Sequence, residues 1–114
     1  MHSVGELVLD DLNDQMRRMA TGFSGGVGRT HRDLCGALTA GIMIIGALHG
    51  RTRLGDDEAL CMKMVNHYRD RFAHRLGSLV CYELREHRYG SHNQEPCSVL
   101  VKRAANILLE ILDG

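Results

Sequence analysis

The sequence predicts an all-α fold, a bundle of about five helices forming a single domain over residues 1–114, and three observations lead there. Apolar residues recur at three- and four-residue spacing along nearly the whole chain, which stacks them on one face of a helix. No segment alternates apolar and polar residues for long enough to compete as a strand. No internal repeat, low-complexity tract or linker divides the 114 residues, and 44% apolar with 25% charged residues suits a folded domain rather than a disordered chain.

Each helix has its own signal. Leu7, Leu12, Met16 and Met19 predict a first helix over about Val4–Ala20. The stretch from Gly22 to Asp33, GFSGGVGRTHRD, is too rich in glycine to continue it. A second, nearly all-apolar helix is expected over Leu34–Leu48, capped by Asp33 and ended near His49-Gly50. Its fifteen residues rise about 22 Å, short of the roughly 30 Å of a bilayer interior, so it reads as a buried helix and not a membrane span. Gly36, Ala37, Ala40 and Gly41 leave room on it for another backbone.

Asp56 and Asp57 are expected to open a third helix that runs to Leu76 and stops at Gly77. Cys61, Val65, Tyr68 and Phe72 form its inner stripe, while Lys63, Asn66, Arg69 and Asp70 face away. Ser78 is expected to cap a short fourth helix, SLVCYELREH, followed by a polar loop over Arg88–Asn93. Pro96 suits the first turn of a fifth helix that carries Leu100, Val101, Ala104, Leu108 and Leu112 inward.

Composition excludes more functions than it suggests. Fourteen basic residues balance fourteen acidic ones, and aromatic residues make up only 4%, so neither nucleic acid nor an anionic membrane surface is an expected partner. The opening MHSVGELVLDD lacks the basic start and apolar stretch of a secretory leader, and four cysteines without an export signal point to a reducing compartment, the cytoplasm. FSGGVGRT is not a phosphate loop, because Phe23 stands where glycine is needed and Arg29 where lysine is needed. It reads instead as a turn between helices. There is no Cys-x-x-Cys, Gly-x-Ser-x-Gly or His-Glu-x-x-His. His2, His31, His49, His67, His74, His87 and His92 are scattered and read mostly as solvated side chains. His67 and His74 share a face but stand two turns apart, and Met16, Met19, Met43, Met62 and Met64 read as core filler.

The cysteines point further. Cys35 falls at the start of the second helix, where amides and the helix dipole favour a thiolate, so it is expected to be the most acidic thiol. Cys81 lies on the inner side of the fourth helix, and Cys97 in the first turn of the fifth, across a short loop from it. These three are expected to converge, with Cys61 apart in a packing stripe. The competing reading is that each is simply a small buried hydrophobe.

Phe23-Ser24-Gly25-Gly26-Val27-Gly28, followed by Cys35-Gly36-Ala37-Leu38-Thr39-Ala40-Gly41, Gly46 and Gly50-Arg51, resembles the signature of the C_GCAxxG_C_C family of redox-active proteins. Phe72, Arg75, Gly77-Ser78, Cys81 and Glu83-Leu84 resemble that family's second cysteine region, and Cys97 with Leu100-Val101 and Ala104-Ala105 resembles its last. The resemblance runs from about Leu12 to Leu112. It implies redox activity carried by cysteines, and related domains accompany a split-Soret type of cytochrome in which such cysteines are associated with iron–sulfur binding. This sequence departs from the pattern in having no cysteine before Phe23, and the chain is expected to be shortened at that end.

The leading expectation is therefore a redox or electron-transfer protein working through Cys35, Cys81 and Cys97. They would act either as a reversible thiol–disulfide or as ligands of a metal or iron–sulfur cluster, with a redox partner protein. No general base or substrate pocket can be identified, so no reaction is named. The alternative is a helical interaction protein whose cysteines are packing residues. A homodimer is expected, because a shortened first helix leaves apolar surface on the second.

Overall fold

The computed structural model describes residues 13–89 and 95–113, and those residues are all-α. In chain order they form α1 (Asp14–Ala20), a 3-10 turn (Thr21–Phe23), α2 (Gly36–His49), α3 (Ala59–Leu76), α4 (Cys81–His87) and α5 (Cys97–Asp113). Among the described residues the only extended pairings are two isolated bridges, Leu34 with Val80 and Tyr89 with Glu95. None of their helices is long and apolar enough to cross a membrane.

The long helices α2, α3 and α5 pack on one another in all three pairs. Their shared core joins Leu38, Ile44 and Ile45 to Tyr68, Phe72 and Leu76, and to Leu100, Ala104, Ile107, Leu108 and Ile111. Tyr68 and Phe72 meet edge to face at 5.9 Å between ring centroids. Gly41 makes this possible, because a Cβ there would overlap the Tyr68 ring. The small residues of α2 thus receive a ring at Gly41 and a backbone at Gly36, where a Cβ would stand 3.2 Å from the Phe23 carbonyl oxygen.

Helix ends follow local chemistry. Asn13 caps α1 by accepting from the Met16 amide at 2.9 Å, and the part of the expected first helix before it lies outside the described residues. α2 ends where the Gly50 N–H reaches the Gly46 carbonyl, and α3 ends at left-handed Gly77 (φ +98°), as the sequence predicts. α3 starts later than expected, at Ala59. Asp57 accepts from the Ala59 amide, while Asp56 gathers the Thr52 and Arg53 amides of the preceding loop.

Two caps differ from expectation. Cys35, not Asp33, is the N-cap of α2, because Leu34 is drawn into the bridge with Val80 and the helix turns only after it. For the same reason Val80 is extended and α4 begins at Cys81. Ser78 accepts from the Val80 amide and donates to Glu83, so it shapes the approach to the helix without capping it.

Some side chains also change sides. The buried positions of α5 are 100, 104, 107, 108 and 111, and Val101, about 100° round the helix from Leu100, faces outward. Met19 and Met62 are exposed rather than core filler: α1 buries none of its residues, and Met62 lies one position off the inner stripe of α3. Tyr89, expected in a polar loop, is fully buried. Its hydroxyl accepts from Arg103 at 3.0 Å, and the Arg88 and Arg103 guanidiniums stand 5.3 and 6.0 Å from its ring centroid. Glu95 accepts two bonds from Arg103, at 2.7 and 2.8 Å, and one from Arg88 Nε at 3.0 Å. This clamp holds the start of α5 against the end of α4.

Hydrogen bonds from Arg103, then those from Arg88, hold the Glu95 carboxyl below the usual glutamate range. A depressed carboxyl stabilises the fold above its unfolded pKa, and that contribution is lost as pH falls through the folded value. Glu95→Gln is therefore expected to lower the thermal midpoint at neutral pH, and the difference from the parent chain should shrink towards zero on acidification below the glutamate range. A difference independent of pH would contradict the clamp.

Candidate thiol site

Cys35 caps α2, Cys81 is the first residue of α4, and Cys97 is the first residue of α5. The first two are tied together by backbone. The Cys35 amide donates to the Leu79 carbonyl at 2.8 Å, and the Cys81 amide donates to the Asp33 carbonyl at 3.0 Å. These bonds flank the antiparallel bridge of Leu34 with Val80. Side chains alternate across such a pair, so Leu34 and Val80 share one side while Cys35 and Cys81 share the other. Both cysteines are buried, at 6% and 7% exposure, and Cys97 is half-buried. All four cysteines are free thiols, and Cys61 belongs to the same core cluster as Tyr68 and Phe72.

The glycine-rich loop lies over Cys81. Gly26 has φ +71°, and a Cβ on it would come within 2.7 Å of the Cys81 Cβ. Val27, Arg29 and His31 also hold left-handed backbone, unusual for residues with a Cβ. They are held there by bonds from Arg29 N to Ser24 O and from His31 N to Gly25 O, both 2.9 Å, and from Asp33 N to Gly26 O at 3.3 Å. The last of these places the Asp33 carbonyl where it receives Cys81. The loop is thus the connecting turn that the sequence suggests, and it also roofs a thiol.

Electrostatics join the three sulfurs and overturn one expectation. Burial pushes the Cys35 thiol up; the amides of Ala37 and Leu38 pull it down but do not prevail, and charge on Cys81 or Cys97 raises it further. Cys35 is therefore not an acidic thiol. Its cap position supplies the amides the sequence reading counted on, but the packing of α2 removes the water. Burial also raises Cys81, charge on Cys97 adds to this, and the Arg85 guanidinium opposes it. Arg85 sits one turn along α4 from Cys81, and its Nη1 lies 3.8 Å from the Cys97 Sγ. Below the site, the Tyr68 hydroxyl donates to the Ala37 carbonyl at 3.1 Å, and burial followed by the proximity of Cys35 raises its pKa.

Sequence reasoning missed Arg85. The available sign was its spacing, four residues after Cys81, which puts both on one helix face. A metal or cluster fits the site less well. Among the described residues no three Cys, His, Asp or Glu groups are gathered closely enough to hold a metal ion, and His2 and His92 lie outside them. The three thiols lie within electrostatic reach of one another but are not an assembled ligand set.

This chain matches, over residues 3–111, the model of the family described as "Putative redox-active protein (C_GCAxxG_C_C)". The chain belongs to the C_GCAxxG_C_C family. The comparisons with curated proteins and with solved structures found no match. The C_GCAxxG_C_C match spans the glycine-rich loop and all three helix starts that carry the thiols.

The roof over Cys81 can be tested with two glycines of one loop. Gly28 also has positive φ (+61°), but a Cβ there would meet nothing within 4 Å. Gly28→Ala should therefore cost only the backbone term, about 1 kcal/mol. Gly26→Ala adds the clash with Cys81 and should cost about 2 kcal/mol or more. The difference is read from urea midpoints, and equal losses would remove Cys81 from beneath Gly26.

Proposed function

We propose that the chain is a thiol–disulfide redox protein in which two of Cys35, Cys81 and Cys97 store and release an electron pair. The observation that carries this reading is the placement of three cysteines at three helix starts, within one another's electrostatic reach. Joining two thiols as a disulfide releases two electrons and two protons, and the reverse step takes them back. Membership of a family described as redox-active supports the same reading. The thiol–disulfide form is favoured over an iron–sulfur or metal centre because the donor groups are not gathered as ligands.

Free thiols suit a reducing compartment such as the cytoplasm, where a redox partner would recharge them. A second copy of the chain would cover the apolar surface where Met16, Met19, Met43 and Ala47 line a pocket of about 220 Å³. On this reading the homodimer covers α1 and α2 while the thiols stay within each subunit.

The test is mild oxidation with diamide, followed by alkylation, unfolding, digestion and peptide mass analysis. One linked peptide is expected, joining two of Cys35, Cys81 and Cys97, with Cys61 recovered unlinked. Recovery of all four cysteines as free thiols, or a bridge through Cys61, would overturn the proposal. Sedimentation of the same samples at tens of micromolar reads the dimer, and a clean monomer would remove it.

A further inference from the structure

We infer that Cys97 is the sulfur that attacks an incoming disulfide, that Arg85 positions it, and that Cys81 resolves the mixed disulfide. The inference rests on the thiol–disulfide reading and adds an order, a direction and a substrate class to it.

Access sets the order. Exchange requires the attacking sulfur to approach the partner's disulfide in line, and a sulfur buried under the fold cannot do so. Cys35 lies within the core cluster and Cys81 beneath Gly26, whereas Cys97 is half-buried at the first turn of α5. The chain just before Cys97 is fixed, since Glu95, two residues earlier, is held by Arg103 and Arg88. The sulfur is thus presented rather than free to wander.

Charge sets the direction. The Arg85 Nη1 lies 3.8 Å from the Cys97 Sγ, and the same guanidinium acts on Cys81 from one turn along α4. A cation placed against both sulfurs sits where negative charge passes between them during exchange, so it serves both the attack and the return of electrons. Arg85 forms and breaks no bond in the exchange, and its role is positioning.

The reaction then balances without a further reagent. Cys97 thiolate attacks a substrate disulfide, forming a Cys97–substrate S–S bond and releasing one substrate thiolate. Cys81, losing its proton to solvent, attacks the Cys97 sulfur, forming the Cys81–Cys97 bond and expelling the second thiolate. The substrate gains two electrons and the protein loses two. Cys35, buried in the core cluster, takes no part in this exchange.

The probes are iodoacetamide, iodoacetate and the aromatic disulfide dithionitrobenzoate, applied to the full reduced chain. Cys97 should alkylate ahead of Cys81 and Cys35. Arg85→Ala should slow that reaction and lower the iodoacetate-to-iodoacetamide rate ratio by about threefold, the scale of one exposed charge pair, while Arg85→Lys keeps the ratio. A merely structural arginine would change both reagents alike. Should Arg85→Ala fail to fold, the unsubstituted chain decides, because its ratio should fall as salt rises. With dithionitrobenzoate the parent chain should release two aromatic thiolates, and Cys81→Ala should release one and retain the other on Cys97. Labelling of Cys81 or Cys35 first, an unchanged ratio in Arg85→Ala, a ratio insensitive to salt, or two thiolates released by Cys81→Ala would overturn the inference. Alkylation order and ratio are read on reduced protein, so they can fail while the diamide disulfide still forms, and the reverse.

Discussion

Two backbone hydrogen bonds, from Cys35 to Leu79 and from Cys81 to Asp33, are the constraint on which the site depends. They cross between segments far apart in sequence, and they fix two helix starts side by side. Buried amides must be paired, so a helix that begins inside the protein needs acceptors for its first N–H groups. Here the bridge supplies them to the two residues that carry sulfur. The same pairing explains why α2 and α4 each begin later than capping residues suggest, since Leu34 and Val80 must stay extended to meet.

The rest of the structure supports that bridge from both sides. Above it, the left-handed run of the glycine-rich loop brings the Asp33 carbonyl to Cys81 and leaves no volume for a side chain at Gly26. Beneath it, Tyr68 fits against Gly41 and bonds the Ala37 carbonyl, which anchors the first turn of α2 in the core. The third cysteine is brought up by a different device. Tyr89, Arg88, Arg103 and Glu95 lock the approach to α5, so Cys97 arrives beside Arg85 without any backbone pairing to the other two. Two sulfurs are thus held by hydrogen-bonded backbone and one by side-chain charge. This division matches the proposed roles of buried and presented thiols.

Much of this was legible in the sequence, and the failures have physical causes. Helical spacing and glycine ends located α2, α3 and α5 because those signals are local: Gly77 and Gly50 stop helices by their own conformations. The cysteines at helix starts were legible for the same reason. The acidity expected of Cys35 was not, because a cap position is local but desolvation depends on what packs around it. Tyr89 lies in the expected connection after α4, but its burial was not legible because its neighbours are polar and its partners Arg103 and Glu95 are tertiary. Val101 and Met62 sit one residue off a buried stripe, a distinction that composition cannot make. Arg85 was legible only through its spacing from Cys81, because its contact with Cys97 comes from another helix.

The central claim is that one electron pair is stored among Cys35, Cys81 and Cys97. An equilibrium redox titration in dithiothreitol buffers, with free thiols counted in the unfolded chain at each potential, tests it most directly. The account predicts a single two-electron transition in which the four thiols of the reduced chain fall to two, and which keeps its midpoint in Cys61→Ala, where three thiols fall to one. Four free thiols at every potential, or a transition that disappears with Cys61, would contradict it.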